Sequence, residues 1–155
     1  MRWISLVTLC VLAVACGKPA PAPPPFKAIA DTKLLMQAVI DPAADVIWGS
    51  AGADITAGGL QEIGPRTPEE WTHVRNNAVA LAESGNLLMM APRAPEGDQE
   101  WIRLSLAMID ASLGAVKAAD AKNTDGIFDS GGEIYSICSN CHAKYSPQIT
   151  RFGGR

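Results

Sequence analysis

The chain is short of aromatics, histidine and positive charge, and each shortage removes a class of protein. Aromatic residues make up 6% of its 155 residues, too few for the aromatic and β-branched strands that fill a β-sandwich. Lys and Arg number 13 against 16 Asp and Glu, for a net charge of -3. The electrostatic drive for binding a phosphate backbone is therefore missing, and nucleic acid is not expected as a partner. The longest uncharged apolar run, Trp3–Ala15, has 13 residues, whereas a helix needs about 20 to cross a bilayer. No grouping of nucleophile, base and orienting residue is recognisable, so hydrolytic or transfer catalysis is not expected and the chain is not read as an enzyme.

What is present is aliphatic and rich in alanine, with 48% hydrophobic residues, a composition that favours packed helices. The 155 residues suit one domain plus a processing segment. Residues 1–15 have the layout of a secretory signal: Arg2, the apolar run, and the small triplet Ala13-Val14-Ala15 before Cys16. This resembles the lipobox of bacterial lipoproteins, in which the cysteine is acylated and becomes the new N-terminus. An incidental thiol beside an ordinary signal-peptide cut is the other reading. The lipobox reading implies a periplasmic location on a bacterial membrane, with Cys16 as the membrane anchor. Residues 16–30 are then a proline-rich tether, GKPAPAPPP at 17–25, that favours extended polyproline geometry.

Residues 31–155 read as a domain of four helices. The first spans about Asp31 to Trp48, with Leu35, Met36, Val39, Ile40, Ala43, Val46 and Ile47 at steps of three and four. Pro42 falls inside it and implies a kink or a break and restart. The long connection at 49–66 holds Gly58-Gly59 between short alternating stretches, either a two-residue hairpin or an irregular glycine loop. Thr67, Pro68 and Glu70 form a helix-start signature for a second helix ending before Pro92. A third starts near Asp98, with Trp101, Leu104, Met108, Ala111 and Ala115 on one stripe. Asn123 or Thr124 caps a fourth that carries Ile127, Phe128, Ile134 and Tyr135. Gly131-Gly132 weakens its middle by roughly 1 kcal/mol per glycine, which makes sense where backbone passes close to something bulky. The fold class expected is all-α, a four-helix bundle, with a small β-hairpin as one reading of the first connection.

The four cysteines fall at 10, 16, 138 and 141. The last two belong to Cys138-Ser139-Asn140-Cys141-His142, the C-x-x-C-H attachment motif of c-type haem. Cysteines three apart on a helix share a face, where both sulfurs can form thioethers with the vinyl groups of one porphyrin, and the adjacent His142 can reach the iron. A thioredoxin-like redox pair would need a preceding strand in a βαβ setting. A structural zinc site would need four ligands, and a plain disulfide has no use for the histidine. One covalent haem c held by Cys138, Cys141 and His142 is the expectation. Only 13 residues follow His142 and none is methionine, so a second axial ligand must come from upstream.

A four-helix chain with this motif on its last helix resembles the class II c-type cytochromes, the family of cytochrome c′ and its low-spin relatives. The resemblance covers residues 31–146 and rests on CSNCHAKY at 138–145 and, more weakly, TKLLMQAV at 32–39. It implies His142 as the proximal ligand and places Met36 over the distal face, as an iron ligand in low-spin members. Met36 also belongs to an apolar stripe and has a plain core role open to it; Met108, Met89 and Met90 are weaker candidates. Family members often carry an arginine four residues before the distal position, where this chain has Thr32, and a basic residue four after the haem histidine, where it has Ser146. His73 lies about 200° around its helix from Trp71, with Asn77, Ala80 and Ser84, and reads as a solvated histidine.

The resemblance implies an electron carrier working with redox partner proteins. Binding of nitric oxide or carbon monoxide at an open distal position is the alternative, as is a haem subunit of a larger redox enzyme. Members of the family frequently dimerise through their first two helices, so a homodimer is a further expected partner. The negative charge suits a basic redox partner.

Overall fold

The computed structural model describes residues 26–148. The signal segment, Cys16 and most of the tether lie outside the described residues, as do residues 149–155. Among the described residues, no helix is long and apolar enough to cross a membrane.

The first helix is one continuous run in three pieces: α1 (Thr32–Leu35), a π segment (Met36–Ile40) and α2 (Asp41–Trp48). Asp31 caps it by accepting from the Leu34 N–H at 2.7 Å. The chain neither breaks nor restarts at Pro42. A proline ring clashes with the carbonyl four residues back in an α-helix and offers no N–H. Here the turn before Pro42 widens, and the Asp41 N–H reaches the Met36 carbonyl, five residues back. One extra residue is thus absorbed where proline would otherwise bend the helix.

The connection folds as an antiparallel hairpin, β1 (Gly52–Thr56) with β2 (Gly59–Ile63), closed by the Thr56–Gly59 pair. The two-residue turn is Ala57-Gly58, one position earlier than the glycine pair suggests. Thr56 Oγ1 accepts from the Gly58 N–H and donates to the Gly59 carbonyl, and Gly59 takes φ +111° as the first residue of β2.

Three helices of 22 residues follow: α3 (Pro68–Met89), α4 (Gln99–Asp120) and α5 (Thr124–Tyr145). Thr67 and Glu70 complete a reciprocal capping box, Asp98 caps α4 through the Glu100 and Trp101 N–H groups, and Asn123 caps α5. α2 packs on α3 and α5, α3 on α4, and α4 on α5, a closed ring around Ile47, Ala78, Leu81, Ala115, Ile127 and Ile134. The stripe expected on each helix faces the core, with Met36, Val39 and Val46 of the first helix half-buried. Phe128 and Tyr135, by contrast, are 62% and 55% exposed.

Alanine and glycine let the helices approach closely. A Cβ built on Gly85 of α3 would lie 2.4 Å from Ile109 Cγ1 and 2.8 Å from the Ser105 carbonyl of α4. Ser84, Ser105 and Ser112 are buried beside this seam and donate to carbonyls four residues back, which satisfies their hydroxyls without a cross-helix partner. Ser84 is wholly buried, so the His73 face is solvated only at its N-terminal end. His73 itself is exposed, and Asn77 donates to its carbonyl.

Candidate functional site

At about 100° per residue, Ile127, Ile134, Cys138, Cys141, His142 and Tyr145 fall on one stripe of α5. Ile127 and Ile134 are fully buried, and the other four are half-buried. The C-x-x-C-H residues thus continue the inward face of the helix, where the stripe changes from aliphatic to ligating side chains. Both cysteines are free thiols. Burial, followed by Cys141 and the Asp41 carboxylate, pushes the Cys138 thiol up to about 11. Burial, and then Glu100, also raises Cys141. Both lie in the C-terminal half of α5, where the helix dipole opposes a thiolate. A disulfide-exchange pair needs the reverse arrangement, a lowered pKa near a helix N-terminus.

The first helix runs antiparallel to α5. Trp48 Nε1 donates to the Gly131 carbonyl at 2.9 Å, and Asp41 exerts its charge on Cys138. Met36 opens the π segment, five residues before Asp41 and on the side of the motif end of α5. Met36 is half-buried against the main core, as is Cys138. The first helix closes on α5 through α2, while the π segment packs on α3. The interface between the first helix and α5 is therefore tight at the Trp48 level and looser at the Met36 level. Two thiols one turn apart with an adjacent imidazole, on a face that backs onto the core, form a donor set whose chemistry fits a covalently held porphyrin.

Tight packing at the Trp48 level also accounts for the first of the paired glycines. A Cβ on Gly131 would meet Trp48 Cδ1 at 3.3 Å, whereas one on Gly132 would meet nothing within 4 Å. The bulky neighbour is the Trp48 indole.

Sequence reasoning missed the clamp that holds the motif end of α5. Tyr145 donates its hydroxyl to Asp98 Oδ2 at 2.8 Å, and its ring meets Trp101 edge-on with centroids 5.0 Å apart. Lys144 lies 3.9 Å from the other Asp98 oxygen and 5.0 Å from the Tyr145 ring centroid. Asp98 is thus both the cap of α4 and the anchor of α5. Tyr145 hydrogen bonding, then the Trp101 backbone, lowers its pKa below the ordinary carboxylate value. The available signal was Tyr145 standing seven residues after Cys138, on the same stripe. Arg93 was missed as well. From the α3–α4 loop it donates to the carbonyls of Ala30 and Leu87, bringing a guanidinium to the Met36 end of the first helix, where Thr32 supplies no charge.

The weaker methionine candidates divide by placement. Met108 is buried in the main core, and Met89 and Met90 are half-buried at the end of α3. Among the described residues, no three His, Cys, Asp or Glu side chains converge as a metal-binding group. Comparison of the chain with protein-family models, with curated proteins and with solved structures finds no match.

Proposed function

We propose that the chain is a c-type cytochrome: a four-helix bundle that carries electrons through one covalently attached haem, exported and anchored at Cys16 on the periplasmic side of a bacterial membrane. The observation that carries this reading is the placement of Cys138, Cys141 and His142 on the inward stripe of α5. When bound, the haem supplies a one-electron couple whose potential is set by axial ligand, burial and hydrogen bonding. Cys138 and Cys141 would hold it through thioether bonds and His142 would be the proximal ligand. Met36 would be the distal ligand, a thioether that favours the reduced state and raises the potential. The Asp98–Tyr145 pair fixes the end of α5 that carries His142, and Cys138 backs onto the aliphatic core.

The test is spectroscopic, on protein expressed in the periplasm with the haem-attachment machinery. Haem that survives acidic organic extraction, a low-spin spectrum and a methionine-to-iron charge-transfer band abolished by Met36→Ala are the expected results. Haem released by the extraction overturns the thioether assignment. A high-spin, five-coordinate spectrum that responds to carbon monoxide removes Met36 as ligand and makes gas binding the function.

A further inference from the structure

An apolar groove of about 230 Å³ opens between the C-terminal end of α2 and the first half of α5. Its floor is Ile47 and Ile127, both fully buried, and its walls are Trp48, Phe128 and Tyr135. Trp48 and Tyr135 meet edge-on with ring centroids 6.0 Å apart, and Gly132 leaves the mouth open. Aromatic rings exposed to this degree around a concavity mark an interaction site more often than a solvated helix face.

The rim carries charge of one sign. Asp41 and Asp45 precede Trp48 by seven and three residues and share its side of α2. Asp125 and Asp129 flank Phe128 and Gly132 on α5. All four are exposed, and none takes part in an ion pair among the described residues. The cations nearest along the chain are Lys33, eight residues before Asp41, and Lys122, three before Asp125; neither is ion-paired to these carboxylates. A second copy of this chain would set carboxylates against carboxylates, so self-association through the groove is opposed by its own charge.

We propose that this groove is the docking face for a basic partner protein, which places an apolar side chain between Trp48, Phe128 and Tyr135 while its lysines or arginines meet the four carboxylates. The docking face stands on the groove and its charge. Its use for electron transfer rests on the cytochrome reading, and the position suits that use, because Tyr135 precedes Cys138 by one helical turn. Apolar contact at the centre supplies affinity, and the acidic rim supplies steering and a strong dependence on salt.

The test is amide and indole chemical-shift mapping of the isotopically labelled protein, titrated with a lysine-rich c-type cytochrome as the basic probe and an acidic flavodoxin as the opposite probe. The expected result is shifts at the Trp48 indole, Phe128, Gly132 and Tyr135 with the basic probe only, weakened as salt is raised. Asp129→Lys and, separately, Phe128→Ser each weaken binding about tenfold, with far-UV circular dichroism unchanged because both side chains are exposed. Shifts centred on Lys33 and Lys144, equal binding of the acidic probe, or concentration-dependent shifts without any probe would overturn the proposal. The mapping does not depend on haem chemistry. Docking with failed haem attachment leaves the surface and removes the cytochrome reading, and the converse result removes the surface alone.

Discussion

Replacing Gly85 by alanine puts the close approach of α3 and α4 to a quantitative test. The new Cβ would lie 2.4 Å from Ile109 Cγ1, 2.9 Å from Ile109 Cδ1 and 2.8 Å from the Ser105 carbonyl oxygen. Ile109 Cδ1 can rotate away. Cγ1 moves only by a χ1 change that a helix disfavours for a β-branched residue, and the Ser105 carbonyl is fixed to its helix, so the helices must separate by roughly an ångström to restore normal contact. Overpacking of this kind costs about 3 kcal/mol when backbone must move, and the better helix propensity of alanine returns about 1 kcal/mol. The net expectation is a loss of about 2 kcal/mol, which lowers a urea midpoint by about 1 M at a typical slope. Gly132→Ala is the matched control. It is also mid-helix but faces open space, and it should gain up to about 1 kcal/mol. Urea unfolding followed by far-UV circular dichroism measures both in the same ligation state. Adding Ile109→Ala to Gly85→Ala should recover only part of the loss, because Ser105 remains. A neutral or stabilising Gly85→Ala beside a stabilising Gly132→Ala would refute the close seam.

Two further outcomes concern the site. Asp98 has its folded pKa depressed below the ordinary 3.8 by Tyr145 and the Trp101 N–H; its contribution is present at neutral pH and is lost as pH falls through about 4 and below. Asp98→Asn should therefore flatten the stability loss between pH 7 and pH 3 in urea titrations, and an unchanged slope would remove the clamp. In haem-free protein, the Cys138 thiol, raised from 9.0 to about 11, should react with iodoacetamide at pH 8 about tenfold more slowly than an unstructured cysteine. A thiolate fraction about 100-fold smaller is partly offset by greater intrinsic nucleophilicity. Faster alkylation than the reference would contradict the burial of that sulfur.

The parts of the fold legible in the sequence were those fixed by local chemistry. Thr67, Asp98 and Asn123 announce their helices because an N-cap needs only its own next three residues, and the buried stripes follow because burial obeys the 3.6-residue period. The turn of the hairpin was displaced by one residue because the Thr56 hydroxyl, not a glycine, organises it. Phe128 and Tyr135 were counted with Ile127 and Ile134, yet they lie on the shoulder of α5 that the C-terminal end of α2 leaves uncovered. The shared face of Cys138, Cys141 and His142 was legible because steps of three and four keep residues on one side of a helix. Asp98 and Tyr145, 47 residues apart, were not, since no local pattern announces a hydrogen bond between two helix ends.

The π segment gives the first helix a property that residue identity alone does not convey. An α-helix fixes the direction of every side chain relative to its neighbours, so α1 and α2 would ordinarily be rotationally locked. The extra residue between Met36 and Ile40 offsets one from the other by about 100°. The direction in which Met36 projects is therefore a matter of chain counting. Deleting one residue from 37–39 would leave every ligand candidate in the sequence and the core stripe of α2 in place, yet turn Met36 away from the face it now presents. Two chains that both carry a methionine at this point of the first helix can thus differ in ligation through helix phase alone.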